Sequence, residues 1–366
     1  MRIREITFKD FRSFRGERRI SFVDPVTDTV RPVTVLAGSN GCGKTTVLDT
    51  IEAMLALGPG TTQRDTGIIK EVKQTGLVRL VWELSPDDLL LPPPSKDVSD
   101  TLRKEKSETV TFSIGRKDLD PDYYAGGTLG KSVQLLVKLP VLSTLSDSIH
   151  LMKSGEASWH GGILYFPHNR RLTVTSGGPI ESPKETQEWQ FRFTPRDKWQ
   201  GSLEHLWVWQ NYLDLEQSAQ DRQHLEPFVK SVETVLGRDR RITISKGRVR
   251  VPVAWEQDGE RPQVGLDQLP SGEQQMLLLF GELARRRRQG AVIMIDEVEN
   301  SLHPTLQRLV MSNLHRLARE WDAQVIVATH SLEVIHSVRG GAFINLDYPN
   351  DRFDLPVSGG VEQDAP

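Results

Sequence analysis

Arg31-Pro32-Val33-Thr34-Val35-Leu36-Ala37-Gly38-Ser39-Asn40-Gly41-Cys42-Gly43-Lys44-Thr45-Thr46 is the stretch that decides the fold. Residues 31–36 are apolar enough for a buried strand, and Pro32 lies near its start, where a missing N–H is tolerated. From Lys44 onward Val47, Leu48, Ile51, Met54 and Leu55 recur at helical spacing, so a helix is expected over residues 44–55. Between the two, Gly38 to Thr45 matches the phosphate-loop pattern in full. Its glycines let successive N–H groups curl around a phosphate, and the helix N-terminus adds a favourable partial charge. Lys44 is placed to reach the β- and γ-phosphates of a nucleotide, and the Thr45 hydroxyl to ligate Mg²⁺. Ser39, Asn40, Gly41, Cys42, Gly43 and Thr46 complete the loop's candidate nucleotide contacts.

A nucleotide site also needs one acid in the metal shell and another to orient the attacking water. Val292-Ile293-Met294-Ile295-Asp296-Glu297 is an apolar strand that ends in two such acids. Asp296 is the metal-side candidate and Glu297 the general base. Leu269-Pro270-Ser271-Gly272-Glu273-Gln274-Gln275 precedes a helix expected over residues 271–287, with Met276, Leu279, Phe280 and Leu283 on its apolar face. Ser271 reads as its N-cap, and the Ser271-Gly272 pair leaves N–H groups free for an anion. A well-capped helix with no ligand is the alternative. Val325-Ile326-Val327-Ala328-Thr329-His330-Ser331 is another buried strand with polar groups at its end. Beside Asp296 and Glu297 in a parallel sheet it would bring His330 near a γ-phosphate; a solvated histidine is the alternative.

The 366 residues carry 46 Lys+Arg against 49 Asp+Glu, a net charge of −3. That balance argues against a generally basic nucleic-acid coat protein, so any such contact needs a local patch. No window reaches the apolar length of a membrane span. A single cysteine excludes an internal disulfide and fits a reducing, cytoplasmic setting. Strands are expected at residues 3–8 and 19–22, joined by a turn at Arg15-Gly16-Glu17, and at 77–84, 109–114, 133–139 and 162–166. A hairpin is expected at 241–245 and 248–253, turning at Lys246-Gly247, and a further helix at 304–321. Residues 182–240, rich in Trp (Trp189, Trp199, Trp207, Trp209), read as a helical insertion.

Taken in order, Gly38 to Thr45, Leu269 to Gln275, Ile293 to Glu297 and Thr329-His330-Ser331 resemble the Walker A, signature, Walker B and switch-histidine elements of ABC-type ATPase heads. Ile6-Thr7-Phe8-Lys9-Asp10-Phe11-Arg12-Ser13-Phe14 is similar to the N-terminal strand and Phe-Arg-Ser turn of the RecF, SMC and OLD (overcoming-lysogenization-defect) group. Ile295-Asp296-Glu297-Val298-Glu299-Asn300-Ser301-Leu302-His303-Pro304 resembles that group's Walker B and D-loop. The resemblance implies an α/β fold: a P-loop head with a mixed or parallel core sheet, an N-terminal antiparallel β subdomain and a helical insertion. The division would be an N-terminal lobe at 1–181, the insertion at 182–240, a C-terminal lobe at 241–356 and a disordered tail at 357–366. It implies ATP and Mg²⁺ as cofactors, with Arg12 among the nucleotide contacts. It also implies a homodimer in which two heads sandwich two ATP molecules. Ser271 and Gly272 would then meet the γ-phosphate held by the partner's Lys44, and Asn300-Ser301 would line the seam. His168 or Asn169 falls where a Q-loop glutamine is expected.

Function is less closely determined. About 35 residues follow His330, too few for the Toprim nuclease that often follows such heads, so no built-in nuclease is expected. Arg238, Arg240, Arg241, Lys246, Arg248 and Arg250 form one basic patch, and Arg285-Arg286-Arg287-Arg288 another. Either could contact DNA; solvated charge, or cations suited to a helix C-terminus, is the alternative. The tryptophans could stack bases or pack as a small core. Three readings stand: a dimeric switch in DNA-related or anti-phage defence work with a separately encoded effector, a RecF-type head that clamps DNA, and the ATPase subunit of a transporter.

Overall fold

The computed structural model describes residues 1–56, 67–84, 88, 108–115, 133–136, 148–155, 157–158, 160–173, 175–183, 188–195, 198–216, 224–237, 240–253, 261–338 and 342–347. β1 (Arg2–Phe11) and β2 (Phe14–Ser21) form a hairpin, and β3 (Val33–Ala37) runs into the phosphate loop and α1 (Lys44–Leu55). After α2 (Gly67–Thr75) come β4 (Leu77–Leu84), β5 (Glu108–Gly115), β6 (Val133–Leu136), β7 (Ile163–Phe166) and β8 (Gln190–Arg192). Helices α3 (Leu203–Glu216) and α4 (Glu226–Leu236) precede β9 (Thr243–Ser245), β10 (Arg248–Pro252) and β11 (Gln263–Val264). The chain continues with α5 (Ser271–Arg285), β12 (Val292–Asp296), α6 (Pro304–Glu320), β13 (Gln324–Thr329), α7 (Leu332–His336) and β14 (Phe343–Asn345).

The described residues form three sheets. An antiparallel one has the order β2-β1-β4-β5-β6, and a small one the order β11-β10-β9. The core sheet, β14-β3-β13-β12-β7-β8, is parallel at each of its pairings. Its strands are apolar on both faces, as a covered parallel sheet requires. Alternation sorts those faces: Val292, Met294, Ile326, Ala328, Ile163 and Tyr165 pack with α1 and the antiparallel sheet. Ile293, Ile295, Val325, Val327, Leu164 and Phe166 pack under α5, α6 and α7. Helix α1 is therefore sandwiched between two sheets, with Val47, Leu48, Ile51, Met54 and Leu55 buried. Burying each such side chain contributes about 1.5–3 kcal/mol, an upper figure for a compact unfolded chain.

Three local readings are corrected. The first turn lies at Arg12-Ser13, not at residues 15–17. Phe8 stacks on Phe11 and Phe14, with ring centroids 6.2 and 4.4 Å apart, and burying all three rings draws the turn forward. Residues 182–240 are not uniformly helical, because 190–192 form the edge strand β8 beside β7. Ser271 is the first residue of α5 rather than its N-cap: Pro270 holds that place, and among the described residues no side chain caps the helix. The strand expected to reach residue 139 is described only as far as Leu136, and its last residues lie outside the described ones. The hairpin turn at Lys246-Gly247 is as expected, with φ of 50° and 68° at the two residues, the signature of a tight hairpin turn.

Candidate functional site

Every element that bears on the site ends at the C-terminal edge of the core sheet, where β3, β12 and β13 release their loops. Gly43 takes φ 107° at the start of α1, and a Cβ there would stand 2.6 Å from Phe14 Cζ. The loop's tight curl thus depends on a glycine packed on the β1–β2 turn. Lys44 is buried, and its Nζ donates to the carbonyls of Gly38 (2.7 Å) and Ser39 (2.8 Å). Cys42 packs beside it, and burial first of all pushes its thiol up. Asp347, just after β14, accepts from the Ser39 N–H at 2.9 and 3.0 Å and from the Ser39 hydroxyl at 2.7 Å.

Asp296 follows Val292 and Met294 on the α1 face of β12, where the helix presents Thr45. The Thr45 hydroxyl donates to Asp296 Oδ2 at 2.8 Å. Asp296 is 1% exposed, and its Oδ1 has no hydrogen-bond partner among the described residues. Burial raises the carboxyl above its ordinary value, and the Thr45 bond and His168 oppose that shift. An orphaned, buried carboxylate oxygen next to a hydroxyl fits a hard divalent cation that takes its remaining ligands from phosphate and water. Among the described residues no cluster of three or more His, Cys, Asp or Glu suits a metal, so phosphate and water would have to supply those ligands.

Glu297 lies just past the strand with φ 49°. A left-handed non-glycine residue costs about 1–2 kcal/mol, and its neighbours have to hold it there. Arg170 supplies that hold: it is 3% exposed and donates to the carbonyls of Asp296 (2.5 Å), Glu297 (2.7 Å) and Pro167 (3.2 Å). Burial lowers its pKa to about 10, against the pull of Asp296, Glu299 and Glu297.

His168 Nδ1 stands 3.5 Å from Asp296 Oδ2, and its carbonyl accepts from Asn300 Nδ2 at 3.2 Å. The loop after β7 is thereby joined to both Walker B and the D-loop. His330 is half exposed. Its N–H and Nδ1 lie 2.8 and 3.0 Å from Glu299 Oε1, which sets the ring. Ser271 and Gly272 make no hydrogen bond to residues 38–46 among the described residues. A Cβ on Gly272 would come within 2.9 Å of the Ser301 carbonyl, so the signature loop sits against its own D-loop. Arg12 is held by Glu71 in a paired contact of 2.7–3.2 Å, so reaching a nucleotide would require releasing that pair.

The basic patches are largely spent within the fold. Arg240 forks onto Glu273 (2.5 and 2.7 Å), Arg248 onto Glu204 (2.8 and 3.1 Å), and Arg241 reaches Glu226 at 2.6 Å. Arg238 lies outside the described residues. In the second patch Arg286 pairs with Glu282 and lies 3.6 Å from the centre of the Phe191 ring, Arg288 is buried, and Arg287 is exposed. Trp189, Trp199 and Trp207 are core residues, while Trp209 stacks on Tyr212 at 5.4 Å. Sequence reasoning missed Arg170, Glu299, Asp347 and the Asp49–Tyr165–Arg192 cluster, in which Tyr165 and Arg192 both donate to Asp49 at 2.9 Å. The only signal for the first of these was an arginine following the β7 strand.

A family model described as "AAA domain, putative AbiEii toxin, Type IV TA system" matches residues 170–336, and one described as "AAA domain" matches residues 5–118. Among solved structures, the SMC head bound to the C-winged helix domain of ScpA matches with a TM-score of 0.52 at 12% identity, over 94% of each chain. The SMC head domain from Thermotoga maritima matches at 0.45 with 14% identity, also over 94% of each chain. A comparison with curated proteins gives no match. Such identities speak for the fold, and the AAA-domain models speak for the ATPase. One AAA-domain model thus lies on residues 5–118 and another on residues 170–336, and the fold around them is similar to that of an SMC head.

Proposed function

We propose that the chain is a Mg²⁺-dependent ATP hydrolase whose heads pair around ATP, and that it works as a cytoplasmic switch in a DNA-related or anti-phage defence process by controlling a separately encoded effector protein. The observation that carries the proposal is the part-buried Thr45–Asp296 pair, with one carboxylate oxygen left without a partner among the described residues and Glu297 next in the chain. Bound Mg²⁺ would neutralise charge on the β- and γ-phosphate oxygens. Lys44 would leave the Gly38 and Ser39 carbonyls for the phosphates, and the loop N–H groups would hold the β-phosphate. Glu297 would take the proton of the attacking water, with His330 beside the γ-phosphate. Ser271 and Gly272 would complete a second head's site, so an isolated head should hydrolyse slowly. The four-part division at 181, 240 and 356 belongs to this reading.

The toxin–antitoxin wording of the matching family supports a defence setting. Pairing of Arg240, Arg241 and Arg248 with glutamates supports the regulator over a DNA clamp. The test is ATP turnover of the purified protein with and without linear duplex DNA, using Glu297→Gln as the blank. Turnover indifferent to DNA and reduced roughly 10²–10⁴-fold in the blank is expected. Wild-type turnover in the blank would remove Glu297 as base, and strong DNA stimulation would favour the clamp.

A further inference from the structure

Arg170 is a buried cation whose Nη1 and Nη2 donate to main-chain carbonyls, while its Nε has no hydrogen-bond partner among the described residues. Arg240 and Arg286, also buried, face Glu273 and Glu282 instead. Among the described residues no carboxylate lies within ion-pair distance of Arg170. An expensive buried charge with this choice of partners calls for a reason beyond packing.

The geometry supplies one. The carbonyl of Asp296 belongs to the peptide before the Glu297 Cα, and the carbonyl of Glu297 to the peptide after it. One guanidinium holds both, through Nη1 at 2.5 Å and Nη2 at 2.7 Å. Fixing the two peptide planes on either side of a Cα fixes that residue's φ and ψ, and the φ so fixed is the left-handed 49°. The direction in which the Glu297 Cα–Cβ bond leaves the chain follows from it. Arg170 is itself anchored, because Gln275 Nε2 of α5 donates to its carbonyl at 3.0 Å. The helix that begins with Ser271-Gly272 thus reaches the base through one residue.

We propose that Arg170 is the positioning residue of the general base, a two-carbonyl clamp that sets the direction of the Glu297 carboxylate and ties it to the signature helix. The inference rests on Glu297 being the base, as argued above.

The test uses the full chain in four forms: wild type, Arg170→Lys, Glu297→Gln and the double variant, each assayed for turnover and for binding of a fluorescent ATP analogue. A lysine keeps the charge but cannot span two carbonyls as a planar fork does. Arg170→Lys should lower kcat roughly 100-fold, as displacement of a catalytic group by about 1 Å can do, and leave nucleotide affinity within about threefold. The double variant should turn over no more slowly than Glu297→Gln alone, because the clamp acts only through that carboxylate. An arginine that merely supports the fold would weaken binding as well, and its loss would multiply with that of Glu297→Gln; either result overturns the proposal, as does unchanged kcat in Arg170→Lys. If Arg170→Lys does not fold, Gln275→Leu takes its place: a kcat loss that vanishes in the Glu297→Gln background supports the clamp, and no loss overturns it. Wild type no faster than Glu297→Gln would bring down the assignment of the base, and the clamp with it.

Discussion

Asp347 lays both carboxylate oxygens on the first amide of the phosphate loop, while Lys44 is turned back onto the same loop's carbonyls. A nucleotide brings several negative charges to this point, so the carboxylate opposes its arrival. Asp347→Asn keeps an acceptor for the Ser39 N–H and removes the charge. It should tighten ATP binding roughly threefold to tenfold, the scale of a like-charge pair at a protein surface. Titration calorimetry at two salt concentrations checks this: the gain should shrink as salt rises, and equal affinities at low salt would refute it. Lys44, Thr45, Asp296 and Glu297 were legible in the sequence because loop, strand end and helix start are each local patterns. Asp347 was not, since its partner lies 308 residues away.

At the scale of elements, α6 carries the clearest pH response. His315 on this helix has an Nε2 with no hydrogen-bond partner among the described residues, and burial, helped by Arg319, holds its imidazole below the ordinary 6.5. The unfolded chain therefore takes up the proton more readily than the folded one. The stability concerned is complete above 6.5 and declines as pH falls below it toward the folded-state value. Thermal unfolding at about pH 7.5 and about pH 5.5 should show a lower midpoint in acid, and His315→Gln should narrow the gap. An unchanged gap would mean that other groups set the response. The core strands β3, β7, β12 and β13, together with α1, were readable from periodicity alone, within a residue or two at their ends, whereas β14 was not read. The edge strand β8 was not: its three residues carry too little pattern, and pairing with β7 is what makes them a strand.

Across the whole molecule, the two large sheets are joined at a buried amide. Gln324, at the start of β13, accepts from the Ile3 N–H at 2.6 Å and donates to the Ile3 carbonyl at 2.9 Å. Gln324→Met keeps the volume and leaves both groups of β1 without those partners. It should cost about 2–4 kcal/mol, measured as a shift of the urea midpoint, and a change under about 0.5 kcal/mol would mean that water replaces the amide. Dimerisation belongs to this scale too. If the heads close around ATP, Glu297→Gln should accumulate dimer with ATP in light scattering, whereas wild type returns to monomer as it turns over. A monomeric variant at saturating ATP would count against the switch.

The sequence by itself determined the phosphate loop, the acid pair at the end of an apolar strand, the second strand with its histidine, and the order in which they occur. Each is a pattern of a few neighbouring residues, and covalent adjacency carries it. Only the tertiary structure decided which way those residues face. Alternation along β12 says that Asp296 shares a side with Val292 and Met294, but the packing of α1 on that side is what brings Thr45 to it. Likewise nothing near Glu297 in the chain announces a left-handed residue there. Arg170, 127 residues away, stabilises it through hydrogen bonds that exist only once β7 and β12 lie side by side. Arg240 and Arg248 of the first basic patch are likewise placed by the tertiary structure, because glutamates from distant helices pair with them.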